Sequence, residues 1–178
     1  QGNPIENQFT DQNNDSVINI DDRVRSGNPN PNWFLGVNLN ATHKNWYVGT
    51  SMRAELGAYV YNNLASNYGN FQAGNSTFNS SNIHGSYLTT EFQGNTNEQL
   101  LSNYFIEKAD FLRMDYFTLG YNFGNQLSDK FKLNAALTIN NVFVLSKYSG
   151  IDPEVVGGID NNIYPRPRIY SLNLTFDF

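Results

Sequence analysis

Large apolar residues recur at every second position in five stretches of this chain. In the first, Trp33, Leu35, Val37, Leu39 and Ala41 share one parity, and Asn38, Asn40 and Thr42 take the other. In the second, Trp46, Val48, Met52, Ala54 and Leu56 oppose Tyr47, Ser51, Arg53 and Glu55. The third, "DFLRMDYFTLGYNFG", begins on the parity of Leu112, Met114 and Tyr116 and ends on that of Phe117, Leu119, Tyr121 and Phe123. One extra residue near Tyr116 and Phe117 reconciles its halves, because a bulge flips every later side chain. The fourth carries Phe131, Leu133, Ala135, Leu137 and Ile139 against Lys132, Asn134, Thr138 and Asn140. The fifth, from Ile169, ends in Leu172, Leu174, Phe176 and Phe178. Such alternation predicts strands with one apolar and one polar face, and no segment keeps a helical apolar period.

The connections are unequal. Short turns join strands one to two and three to four, whereas polar loops occupy residues 1–31, about 59–109 and about 147–166. Loops of that length are commonly functional. Short turns on one side and long loops on the other are the asymmetry of outer-membrane barrels. The expectation is therefore an all-β chain, 1–178, forming C-terminal antiparallel strands of a large transmembrane β-barrel. It would be a multi-pass outer-membrane protein with extracellular loops and a periplasmic C-terminus. Trp33, Trp46, Tyr121, Phe123, Phe176 and Phe178 would supply interfacial aromatics. Five strands cannot close a barrel, so further strands would complete the edges. A soluble β-sandwich would use the same apolar face as its core.

Composition changes this picture little. The 178 residues suffice for one domain with a core, and aromatics reach 15%, equal to the charged fraction. That balance favours strands and polar loops over helices. The net charge of −5 argues against nucleic acid, which needs a basic patch. With no cysteine, neither disulfides nor thiolate metal sites are available. No apolar run approaches the roughly 18 residues of a membrane helix, and a mean hydropathy of −0.50 does not exclude a barrel. The opening "QGNPIENQFT" reads as mid-protein loop, hence a fragment or processed piece.

Several blocks resemble one family. "ADFLRMDYFTLGYNFG", "INNVFVLSKYSGIDPEV", "YPRPRIYSLNLTFDF" and, upstream, "DQNNDSVINIDDRVRSGNPNPNWFLGVN" are similar, in order, to segments of SusC/RagA-type TonB-dependent transporters of Bacteroidota. The resemblance implies an outer-membrane importer of glycans or peptides, in which this segment forms barrel wall and outer mouth. The implied partners are a SusD-like surface lipoprotein, the TonB complex through an absent N-terminal part, the rest of the same barrel, outer-membrane lipids and an oligosaccharide or peptide cargo. The alternative is a soluble surface-exposed β-domain that binds glycan or protein.

The best local site is "DQNNDSVINIDD", which resembles an EF-hand or dockerin calcium loop. Asp11, Asn13 and Asp15 stand at positions one, three and five, Val17 offers a carbonyl at seven, Asn19 stands at nine and Asp22 at twelve. A hard cation needs six to eight oxygens, and this spacing wraps them around one point. Ser16 replaces the usual glycine, and Asp22 is shorter than the usual glutamate. Calcium would pin an outer loop; without it the stretch is an Asn/Asp-rich turn.

No enzyme is expected, because neither His43 nor His84 has a neighbouring acid–base partner or nucleophile motif. Arg53, Glu55, Arg113, Asp115 and Lys132 either contact cargo or pair with one another. Asp160, Arg166 and Arg168 would brace the last loop. The loop from Asn67 to Gln99 mixes Tyr and Phe with amides and hydroxyls, which suits glycan, a lid protein or plain exposure. Its Asn75-Ser76-Thr77 sequon is a chance match.

Overall fold

The structure is a computed structural model that describes residues 4–74, 82–94, 102–125, 130–161 and 164–178. The Asn75-Ser76-Thr77 sequon, parts of the Asn67 to Gln99 loop and most of the turn after strand three lie outside them. The strands are β1 Trp33–His43, β2 Trp46–Leu56, β3 Tyr59–Tyr61, β4 Ile106–Lys108, β5 Phe111–Gly124, β6 Lys132–Ser146 and β7 Ile169–Asp177. Three short helices, α1 Asn63–Tyr68, α2 Phe71–Gly74 and α3 Tyr87–Thr90, follow β3 in the chain. Two compact units result: 1–30, 58–109 and 148–164 form one, and 31–57, 110–147 and 165–178 the other.

The second unit is a five-stranded antiparallel sheet in the order β1-β2-β5-β6-β7. Its register places Leu35 opposite Ala54, Val37 opposite Met52, Val48 opposite Leu119, Leu119 opposite Leu137, and Leu137 opposite Leu172. Side chains opposite one another share a face, so the alternating apolar residues of all five strands form one continuous surface. Asp115 is the extra residue of β5: Met52 pairs Met114 and Ser51 pairs Tyr116 across it. On the other side Met114 pairs Phe143 and Tyr116 pairs Asn140, and Asn141 takes a left-handed φ of 52°. The Tyr47 ring lies over Gly120, where a Cβ would come within 2.0 Å of it, and its hydroxyl donates to Asn134 at 2.8 Å. Aromatics also stack edge-on along the sheet, Trp46 on Tyr121 at 4.8 Å and Tyr121 on Phe123 at 4.6 Å.

This architecture corrects three expectations. The fold is not a barrel wall: the sheet is open, and among the described residues its outer strands β1 and β7 each pair with one neighbour only. Closure requires the first and last strands to pair. The chain is not all-β either, since three short helices accompany the strands, which form two open antiparallel sheets. The expected localisation, a multi-pass outer-membrane barrel with extracellular loops and a periplasmic C-terminus, falls with it. Among the described residues no helix is long and apolar enough to cross a membrane. The physical reason is that alternation fixes which side chains share a face but not what covers the face. Here Trp33, Leu35, Val37 and Leu39 of β1 are each at least half exposed, and so are Tyr170, Leu172 and Leu174 of β7.

The first unit gathers the three stretches that read as polar loops. β3 pairs with β4, the pairing continues through Ala109 N–H to the Ala58 carbonyl at 2.9 Å, and Tyr61 forms a parallel bridge with Ile159. One small core joins Ala58, Val60, Ala109 and Tyr148; another joins Ala65, Phe92 and Phe105, with Tyr61 packed on it. Asn62 ties these parts together. It is fully buried, it caps α1 by accepting from Ala65 N–H at 2.9 Å, and its amide donates to Glu107 at 3.0 Å and Ser149 at 3.1 Å. Glu107 in turn accepts from the Ser149 N–H and hydroxyl. Buried Asp160 accepts from the Tyr148 hydroxyl at 2.7 Å. Burial, then the hydrogen bond to this acid, then the charges of Asp160 and Glu107 push the Tyr148 phenol far up, so it stays protonated.

Truncating Phe105, which is buried between Tyr61 and the start of α1, is expected to cost about 3–5 kcal/mol. Denaturant unfolding of the intact protein measures it. Phe105→Leu is expected to retain most of that stability.

Candidate functional site

The loop 11–22 lies in the first unit. Asp11 closes a tight turn by accepting from Asn14 N–H at 2.6 Å and Ser16 N–H at 2.8 Å. Asn13 accepts from Asp15 N–H, and Asp15 from Val17 N–H at 2.8 Å. Asn14 and Ser16 take left-handed φ values of 62° and 67°. Ser16 thus adopts the conformation for which a glycine is usual at that place, at the strain a Cβ brings. Asn19 caps a 3-10 turn, Ile20–Asp22, and Asp22 folds back to accept from Asn19 N–H and Gln12 N–H, both at 2.8 Å. The main-chain donors of Asn19 and Gln12 hold the Asp22 carboxyl below its usual 3.8. The six expected ligand residues therefore sit in one closed turn. Among the described residues no three Asp, Glu, His or Cys side chains converge as a metal site. A cation here would draw on at most two carboxylates and would take its other oxygens from Asn13, Asn19 and the Val17 carbonyl.

Beside the loop runs a half-open cleft of about 530 Å³. Phe9, Ile18, Ile20 and Val24 give it apolar walls; Gln12, Asn19, Asp22, Ser102 and Asn103 give it polar ones. Ile18, Ile20 and Val24 are each more than half exposed. Mixed walls of this kind suit a ligand with apolar faces and hydroxyl or amide edges.

The charged residues of the sheet pair among themselves. Arg53 Nε lies 3.1 Å from both oxygens of Asp115, and its guanidinium is 3.6 Å from Glu55. Arg113, only 1% exposed, donates to Asn141 at 3.0 Å. Both guanidinium groups lie over the Phe111 ring, at 5.6 and 5.5 Å. Lys132 is not part of this set; it stands opposite Asp177 in the β6–β7 register, at the other end of β6. Asn141 also donates to the Arg166 carbonyl at 2.7 Å and accepts from Arg168 Nε at 3.4 Å, which fixes the entry to β7. Asp160 is separate, in the first unit with Tyr148. His84 Nδ1 lies 3.0 Å from the Ser86 hydroxyl, but that hydroxyl donates to the Ala65 carbonyl and the imidazole accepts the Ser86 N–H. This is a turn before α3, not a nucleophile and base. His43 ends β1.

No family model matches the chain. A relative from Bacteroides thetaiotaomicron, "TonB-dependent receptor SusC", is 35% identical over 185 aligned residues, covering 99% of this chain and 18% of that protein. The chain belongs to the broad SusC/RagA-type family of TonB-dependent receptors. "TonB-dependent receptor P3" of Formosa agariphila is 23% identical over 96% of this chain and 19% of its own length. The chain thus spans less than a fifth of the curated relatives it matches. Among solved structures, the RagAB peptide importer in its open-open and closed-closed states matches with TM-scores of 0.70 and 0.71. Those matches are 20% and 21% identical and cover 92% of this chain and 19% of the other, which shows a shared fold.

SusC/RagA-type receptors are a non-catalytic class of transport proteins of the outer membrane, so the chain is not an enzyme. For this member the oxygen spacing of residues 11–22 was legible from sequence. The cleft was not, because Phe9, Ile18, Ile20 and Val24 follow no period and Ser102 and Asn103 arrive from eighty residues away. The nearest signal was four bulky aliphatics, Val17, Ile18, Ile20 and Val24, within an otherwise polar stretch.

Because the folded Asp22 value is depressed, its stabilisation of the loop is present above pH 3.8 and is lost as pH falls through the folded value. Carboxyl-detected NMR is expected to show Asp22 titrating below 3.8, and Asp22→Ala to abolish the acid-induced loosening of residues 11–22.

Proposed function

We propose that this chain is a surface-exposed β-domain of a SusC/RagA-type protein and that its task is to bind a protein partner. The sheet's state carries this reading: two strand edges paired on one side only and an apolar face with Val37, Leu172 and Leu174 exposed. Soluble monomers rarely leave contiguous apolar patches beyond a few hundred Å² uncovered, and unpaired edges readily accept a further chain. This replaces the importer-wall reading, whose barrel the open sheet contradicts. SusD-like lipoproteins and the TonB complex are the family's typical partners, and the lipoprotein is the first candidate here. The blocks from Ala109 and Tyr164 onward support a place in the C-terminal portion of the family's longer chains.

Glycan binding has its own support in the first unit, where the Phe9 ring and the Asn19 and Asn103 amides share one cleft. A photo-crosslinking residue at Leu174 of the full-length protein, in cells, is expected to capture a discrete protein. Capture of lipid alone, or of nothing, would reject the partner reading.

Calcium at residues 11–22 belongs to the same proposal as a structural element. It is supported by oxygen-bearing groups at all six loop positions and by the closure of Asp22 onto Gln12 and Asn19. With at most two carboxylates the affinity is expected to be weak, about 0.1–1 mM, the range of extracellular modules. Calorimetry on the chelated intact protein measures it. Absence of uptake, together with an unchanged melting temperature for Asp15→Ala, would remove the site.

A further inference from the structure

The loop after α3 ends in a pair of main-chain donors aimed at one point. Gln93 N–H and Gly94 N–H reach the two oxygens of the Glu6 carboxylate at 2.8 and 2.7 Å. Two successive amides converging in this way form a nest, a concavity that favours an anion. The nest is built without Glu6. Phe92 is buried, Phe71 N–H donates to its carbonyl at 2.8 Å, and Gln72 N–H donates to the Gln93 carbonyl at 3.2 Å. Gly94 has a left-handed φ of 79°, and a Cβ there would meet the Asn70 side-chain oxygen at 2.3 Å. Asn70 is itself buried and donates to the Asn67 carbonyl at 3.0 Å. Backbone pairing, a buried ring and a glycine therefore set the two amides independently of what they bind.

The segment carrying Glu6 is held far less firmly. Ile5 and Phe9, on either side of it, remain 64% and 39% exposed, and the backbone turn from Gln8 N–H to the Ile5 carbonyl is long at 3.3 Å. A rigid receptor filled by a lightly anchored carboxylate is an exchangeable contact. Phe9 also lines the cleft beside residues 11–22, so movement of this segment alters that cleft.

We infer that the Gln93–Gly94 amide pair is a carboxylate-binding site occupied in cis by Glu6, and that a carboxylate ligand displaces residues 4–8 from it. The ligand chemistry is a carboxylate accepting two parallel main-chain hydrogen bonds, supplied by a small organic acid or by an acidic peptide. The inference does not depend on the protein-partner reading, because the nest and the sheet are built from different residues.

Hydrogen exchange on the intact full-length protein tests it. Glu6→Ala is expected to speed exchange of the Gln93 and Gly94 amides roughly tenfold or more, with β5 and β6 unchanged as the control for folding. Acetate is expected to restore protection in Glu6→Ala beyond a chloride control, and adding Gly94→Ala to remove the rescue. A triglutamate peptide that protects at lower concentration than acetate identifies a peptide ligand; equal or better protection by acetate identifies a small acid. Exchange unaffected by Glu6→Ala, or acetate no better than chloride, overturns the proposal whatever Gly94→Ala does.

Discussion

Asp115 is the residue on which the sheet's two-sidedness depends. Side chains alternate strictly along a strand, so without an extra residue Leu112 and Met114 would face opposite to Phe117, Leu119 and Tyr121. The register shift across Asp115 brings both halves of β5 onto the face shared with Met52, Leu137 and Leu172. The bulge also leaves a carboxylate with no opposite residue in the ladder. Arg53 meets it at 3.1 Å, and the guanidinium groups of Arg53 and Arg113 lie over Phe111 within 6 Å of its ring centre. Pairing here serves the bulge. At 19% and 34% side-chain exposure, Arg53 and Asp115 gain little net stability from their attraction, and their main effect is to fix where the shift occurs.

The first unit obeys a different constraint. Among the described residues its buried clusters are small, with Val60, Phe92, Phe105 and Tyr148 as their large buried members and Val155 and Tyr61 packed against them. Hydrogen bonds that cross long sequence distances do the joining. Asn62, Glu107 and Ser149 come from three chain segments, and Glu107 and Ser149 satisfy the side-chain amide of the fully buried Asn62. Such a network is stabilising only when complete, because a buried amide or carboxylate left unpaired costs more than the bond itself returned. The unit is therefore expected to be sensitive to single polar substitutions that a conventional core would tolerate.

This contrast explains what could be read from sequence. Strands whose side chains alternate announce themselves, and β1, β2, β5, β6 and β7 lie within a few residues of where the period places them. Even the bulge was visible as a change of parity, one residue from Asp115. Residues 59–109 and 147–166 read as loops because neither a two-residue nor a helical period runs through them, yet they hold β3, β4 and the three helices. Their information sits in isolated residues such as Asn62 and Asp160, whose partners are 45 residues and 12 residues away. The candidate site divides in the same way. Asp11 to Asp22 is a local pattern and was legible; Glu6 with Gln93 and Gly94 is 87 and 88 residues of separation and was not.

The error about architecture follows from the same physics. A two-residue period states that one face of a strand is apolar and the other polar. It is silent on whether lipid, a second sheet or another chain covers the apolar face, and on whether the outer strands meet. Loop asymmetry cannot decide those questions, because it records connectivity rather than closure. The exposure of β1 and β7 along both faces is what separates the cases here. Strands that found shelter within the chain, such as β5 with Phe111 and Arg113 buried, contrast with outer strands that found none. Uncovered edges beside an uncovered apolar face are the observations on which the proposed partner-binding role rests.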